Sequence, residues 1–177
     1  MTVRFIQPAD LLELADELVG RGNGAGRPKA IRLRRGVSSA YYAVFHELSY
    51  RVVQRALDPA GWGPKEAAVA RWVAHTDLAD LCKAATGSGR PVLADALAAM
   101  NSDVQRIASA FLDLQDQRHQ ADYDDLYDVS KATAVGFVDI ARDAVDRSWQ
   151  LFSQADADYR RFLALGLGAV KIAKSRG

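Results

Sequence analysis

Residues 29–57 read KAIRLRRGVSSAYYAVFHELSYRVVQRAL, and their apolar positions decide the fold class. Leu33, Val37, Tyr41, Val44, Leu48 and Val52 recur at steps of three and four, the period of an α-helix and not of a strand. Tyr42, Phe45 and Val53 widen that stripe. The segment contains no proline and a single glycine, Gly36. A stripe this broad needs partners on more than one side, so the helix is expected at the centre of its domain.

Outward from it, the same period recurs and β patterning is scarce. Before it, Pro8 suits a first helical position, and Leu11, Leu12, Leu14, Ala15, Leu18 and Val19 follow at helical spacing. The glycine-rich run 20–28, GRGNGAGRP, separates the two helices. After it, DPAGWGP at 58–64 supplies turn residues. Two short helices are expected at about 65–74 and 77–85, with Thr76 as N-cap of the second, and a third at about 92–99. Asn101 or Ser102 can cap a long helix carrying Val104, Ile107, Ala108, Phe111, Leu112 and Leu114. An acidic joint at 122–128 leads to a helix through Val135, Val138, Ile140, Ala141, Val145, Trp149 and Phe152, and a final helix begins near Asp156. The expected architecture is all-α, an up-and-down antiparallel helical bundle in one domain over 1–177, with its core at about 29–152.

Composition narrows the function classes. Nearly half of the 177 residues are apolar and a quarter are charged, which is globular composition, and the length suffices for a core without staples. The net charge of +1 favours neither nucleic acid nor an acidic substrate, so such a preference must come from a local patch. One cysteine, Cys82, excludes an intrachain disulfide framework and suits a reducing compartment, so a cytoplasmic location is expected, with the thiol as a small core residue. The start is broken by Arg4, Pro8 and Asp10 and does not read as a signal peptide. The apolar stretch 162–173 is shorter than the roughly 20 residues of a membrane span, and no membrane role is expected. No P-loop, HExxH, CxxC or GxSxG pattern occurs, and neither a metal nor a cofactor is expected.

Three segments carry candidate chemistry. In Arg118-His119-Gln120-Ala121-Asp122-Tyr123 a cation follows Ile107, Phe111 and Leu114 on the packed face. Arg118 and Asp122 are four apart, as are His119 and Tyr123, so each pair can meet on a helix. A desolvated arginine needs a partner for its donors. Either Arg118 pairs internally, or it serves a phosphate as a bidentate donor with His119 as proton carrier. On the central helix, Tyr42, His46 and Tyr50 line one edge, which makes either a core seam with bonded tips or one wall of a cleft with Ser38 and Tyr41. The third segment is basic: Arg27, Lys29, Arg32, Arg34 and Arg35, with Arg21 before them. Positive charge at a helix N-terminus opposes the macrodipole, so either phosphate contact or pairing with the chain's own acids must explain it. His75 has no partner visible in the sequence and reads as a helix-end residue.

Tyr41-Tyr42-Ala43-Val44-Phe45-His46 followed by Arg118-His119-Gln120-Ala121-Asp122-Tyr123 resembles the HEPN family, in its branch with YYAxFH and RxxADY segments, over roughly 29–152. The resemblance implies a homodimer with paired arginine segments in a cleft at the dimer axis. It implies a metal-independent endoribonuclease of toxin–antitoxin or defence type, or a non-catalytic module binding RNA, nucleotide or partner protein. It further implies a small nucleotidyltransferase antitoxin as partner, with Tyr123 as that partner's modification target. Arg118 matches the arginine of the family's motif, in which a histidine follows after four to six residues. Here Tyr123 stands at the first such position and no histidine follows it. Ser39 stands where an arginine often precedes the tyrosines. A catalytic set would then be Arg118, His119 and Tyr123, with Ser38, Tyr41, Tyr42, His46 and Asp122 lining the cleft. His119, with an ordinary histidine pKa near 6.5, would be the base for a 2′-hydroxyl, and Arg118 the cation for the phosphorane.

Overall fold

A computed structural model describes residues 6–22, 26 and 28–175, and among them every regular element is a helix. In chain order these are α1 (Pro8–Val19), α2 (Ala30–Leu57), α3 (Pro64–Ala70), α4 (His75–Ala85), α5 (Pro91–Ala96), α6 (Ser102–Tyr123), α7 (Lys131–Ser153), α8 (Ala157–Leu165) and α9 (Ala169–Ser175). The all-α expectation holds. No helix among the described residues is long and apolar enough to cross a membrane.

The central position of α2 follows from its pattern. Leu33, Val37, Tyr41, Val44, Leu48, Val52 and Val53 are all buried. They meet α1, α6, α7 and α8, so one helix organises the core from several sides. The flanking helices share that core: Leu12, Ala15 and Val19 of α1 join it, as do Tyr159, Phe162 and Leu163 of α8. Gly36 is where α1 comes closest, because a Cβ there would stand 2.6 Å from Val19 Cγ1. Gly166 plays the same part for α8, with a Cβ that would lie 2.5 Å from Val52 Cγ2.

Helix starts are set by side-chain oxygens where the sequence supplies them. Asn101 accepts from the backbone of Asp103 and Val104, Ser130 from Thr133, and Asp156 from Tyr159. Thr76 is not the cap of α4. That helix begins one residue earlier, with Ala74 at the N-cap and no side-chain cap bond. The expected final helix is two: α8 ends at Leu165 with Gly166 as its C-cap, and Gly168, with a left-handed φ of 81°, redirects the chain before α9 starts at Ala169. The buried line of α7 runs Ala134, Val138, Ala141, Ala144, Ser148 and Leu151, while Ile140 and Trp149 face outward. Both lie about a quarter turn off the steps of three and four that pass through Val138.

A polar network sits inside this core. Glu47 Oε1 accepts from Arg51 Nε at 2.6 Å and from the Ser148 hydroxyl at 2.8 Å, and that hydroxyl is 2.6 Å from the Tyr159 hydroxyl. The guanidinium also stands 4.8 Å from the Phe152 ring centroid. The network ties α2 to α7 and α8 and fixes their register, since its donors and acceptors match in one arrangement only.

Candidate functional site

Arg118 lies in the last turns of α6, where the helix passes the middle of α2. Its Nη2 donates to the Tyr42 hydroxyl at 2.9 Å. Its Nε is 2.8 Å from Asp122 Oδ2, an ion pair in distance, although the N–H is not aligned with that oxygen and has no true hydrogen bond. The guanidinium carbon is 5.6 Å from the Tyr42 ring centroid and 5.3 Å from that of Tyr123. Burial works against its charge, but the Tyr42 hydroxyl, Asp122 and Tyr123 outweigh that and raise its pKa further, so it is a permanent cation.

Asp122 is the hub of the cluster. Its Oδ1 accepts from the buried Ser38 hydroxyl at 2.7 Å, and Arg35 Nη1 approaches the same oxygen at 3.4 Å. Arg35 is otherwise largely exposed. Tyr123 is 66% exposed, and the exposed His119 ring stands 5.1 Å from it. An exposed aromatic face flanked by the Arg118 guanidinium and the His119 imidazole therefore ends α6.

Tyr41 and His46 adjoin Tyr42, with ring centroids 5.4 Å and 6.5 Å from it. Tyr41 is buried and its hydroxyl is 2.6 Å from His75 Nδ1. Burial pushes its pKa up to about 12, so it is no proton carrier near neutrality. His75 stands at the first position of α4, in keeping with its reading as a helix-end residue, and the partner not visible in the sequence is Phe45, on which it is stacked with ring centroids 3.7 Å apart. It also meets Tyr42 edge-on at 6.0 Å. Burial lowers the pKa of His75, and Arg118 and His46 lower it further; burial alone lowers that of His46. Nothing in sequence spacing marks His75, because a chain reversal between α2 and α4 delivers it.

The basic segment divides. Arg34 donates to the carbonyls of Ala121 and Asp124 at the end of α6, through Nε at 2.7 Å and Nη2 at 2.6 Å. Arg32 donates to the Glu17 carbonyl in the last turn of α1 at 2.9 Å. Both charges thus serve the C-terminal ends of neighbouring helices, where a cation is favourable. Dipole reasoning confined to α2 could not anticipate this use. Arg21 pairs with Asp16 and Asp139. Lys29 is exposed at the N-cap of α2, and Arg27 lies outside the described residues. Among the described residues, no group of three or more His, Cys, Asp or Glu side chains is arranged to hold a metal ion.

The folded chain thus brings together Arg118, Asp122, Ser38, Tyr42, Tyr123 and Arg35, with His119 at the edge. Tyr41 and His46 border this cluster through the Tyr42 ring, and Arg32 and Arg34 are turned to structural use. No family model matches the chain, and neither does any curated protein or solved structure.

Proposed function

We propose that this chain is a HEPN-like module that forms a homodimer and binds RNA at the surface around Arg118, in a toxin–antitoxin or defence setting in the cytoplasm. The observation that carries the reading is the stack at the end of α6. The guanidinium of Arg118 is held in place by Tyr42 and Asp122 beneath the 66% exposed ring of Tyr123. An exposed aromatic face beside fixed positive charge is what stacking of a base over a bound phosphate backbone requires. A core has no need of either. Leu126, 92% exposed three residues on, adds the apolar surface that a second copy would cover. The up-and-down bundle implied by the family resemblance belongs to the same proposal, as does a nucleotidyltransferase partner acting on the accessible Tyr123 hydroxyl.

Binding is favoured over cleavage because no histidine follows Arg118 at the spacing of the family's motif, and Tyr123 stands at the first such position. Cleavage at the same surface stays as the second reading because the exposed His119 imidazole lies beside Tyr123 and Arg118.

The test combines total RNA, EDTA and a salt series on the purified chain, beside Arg118→Ala and His119→Ala. Salt-sensitive binding by a dimer, lost in Arg118→Ala, supports the reading. EDTA-resistant cleavage lost in both variants moves it to the enzymatic form. A monomer without RNA affinity overturns it.

A further inference from the structure

Next to His75, α2, α3 and the start of α4 line an open cleft of about 790 Å³. Phe45, His46 and Ser49 of α2 form one wall, Trp62 and Arg71 flank it, and His75 closes the end. That volume falls within the roughly 300–1,000 Å³ of small-molecule sites.

Three features describe what would fit. Two aromatic rings stand among aliphatic side chains in the walls: the Trp62 ring is braced against Tyr50 at 4.9 Å, and Phe45 is backed by the stacked His75 ring. Such walls favour a flat ring system. Ser49 is 3% exposed, lines the cavity, and its hydroxyl has no hydrogen-bond partner among the described residues. Buried hydroxyls are seldom left so, and a ligand atom would satisfy this one. Arg71 is exposed and is the one charged residue lining the cleft among the described residues, so it brings a positive charge to the mouth. His46 and His75, both held toward the neutral form by burial, add polar points without adding charge.

We infer that this groove is a binding site for a small planar aromatic anion. Its ring lies between Trp62 and Phe45, a polar edge atom bonds the Ser49 hydroxyl, and its acidic group meets Arg71 at the mouth. The inference does not rest on the RNA reading: Ser49, Trp62 and Arg71 stand outside the Arg118 cluster, and His75, which lines the groove and feels the Arg118 charge, lies between the two.

The probes are 8-anilinonaphthalene-1-sulfonate and its uncharged parent N-phenyl-1-naphthylamine, titrated by fluorescence into the full chain. Near-UV circular dichroism shows that each variant keeps its tertiary packing. Saturable binding of one sulfonate per chain is expected. Arg71→Ala should weaken the sulfonate about threefold to fivefold and leave the uncharged parent unchanged, as loss of an exposed ion pair does. Trp62→Ala should weaken both about tenfold or more. Arg71 is exposed, so its variant tests the site without risk to the fold. Non-saturable binding, Trp62→Ala with undiminished affinity, or an Arg71→Ala effect equal for both probes would each overturn the inference.

Discussion

The Tyr42 hydroxyl accepts a hydrogen bond from Arg118 Nη2 at 2.9 Å while the Tyr42 ring lies 5.6 Å from the same guanidinium. One tyrosine thus supplies both a polar and a π contact to one cation, and joins the middle of α2 to the end of α6. Tyr42→Phe keeps the ring and removes only the hydroxyl. The charge is partly solvated, so the expected loss is about 1 kcal/mol, below the usual range for bonds to charged groups. For a chain of this size that is about 2–4 °C in Tm. A thermal melt of the variant equal to that of the parent chain would mean that Asp122 alone holds Arg118.

Asp122 sets the sign of the surface. It bonds Ser38 and sits against both Arg118 and Arg35. Asp122→Asn retains an acceptor for Ser38 and releases two cations from their counter-charge. If RNA phosphates bind here, its affinity should rise, and the slope of log affinity against log salt should steepen by about one. Thermal stability should fall in the same variant. A filter-binding series with an unchanged slope would remove the phosphate from this surface.

The main lines of this arrangement could be read from residue spacing, and its joints could not. The stripe of α2 showed a central helix because steric period and burial are local properties of the chain. Arg118 with Asp122, and His119 with Tyr123, were legible because four residues make one helical turn. Contacts between elements left no such trace. His75 reaches Tyr41 across 34 residues, and Arg34 reaches the end of α6 across 87. Only the packing of α2 against α4 and α6 brings those pairs together. Ser49 and Arg71 likewise look like ordinary surface residues until α3 folds over α2.

Glu47 and Arg51 provide a stringent check on the buried network, since both are almost fully enclosed and their contact is 2.6 Å. Truncation of Glu47 to Ala takes the carboxylate from the guanidinium, which keeps its bond to the neutral Gln54 Oε1, and leaves Ser148 without its acceptor. A loss of about 3–5 kcal/mol is expected from urea unfolding, as for other broken buried pairs. The double variant Glu47→Leu with Arg51→Met should recover much of it, because no charge is then left unpaired. If Glu47→Ala lost under 1 kcal/mol or so, water would have to reach Arg51, contrary to its burial.

His75 links the folded state to pH. Burial, then Arg118, then His46 lower its pKa below the ordinary 6.5, so the folded chain holds it neutral. Its surroundings are the rings of Phe45, Tyr41 and Tyr42, the Arg118 cation and His46, with no carboxylate among these contacts. In the unfolded chain the imidazole takes up its proton as pH falls through about 6.5. The unfolded state then binds more protons than the folded one, so stability rises with pH and drops on acidification. The drop begins near 6.5 and ends once the folded pKa is passed, and His46, also lowered by burial, adds to it. Urea midpoints measured from about pH 7 to pH 5, above the main carboxylate range, should therefore decline. His75→Gln, which keeps a polar partner for Tyr41, should flatten part of the decline. Arg118→Ala, which removes the second cause of the shift, should flatten it less. A midpoint constant over that interval, with His75→Gln superimposable on the parent chain, would show that the imidazole charges freely in the fold.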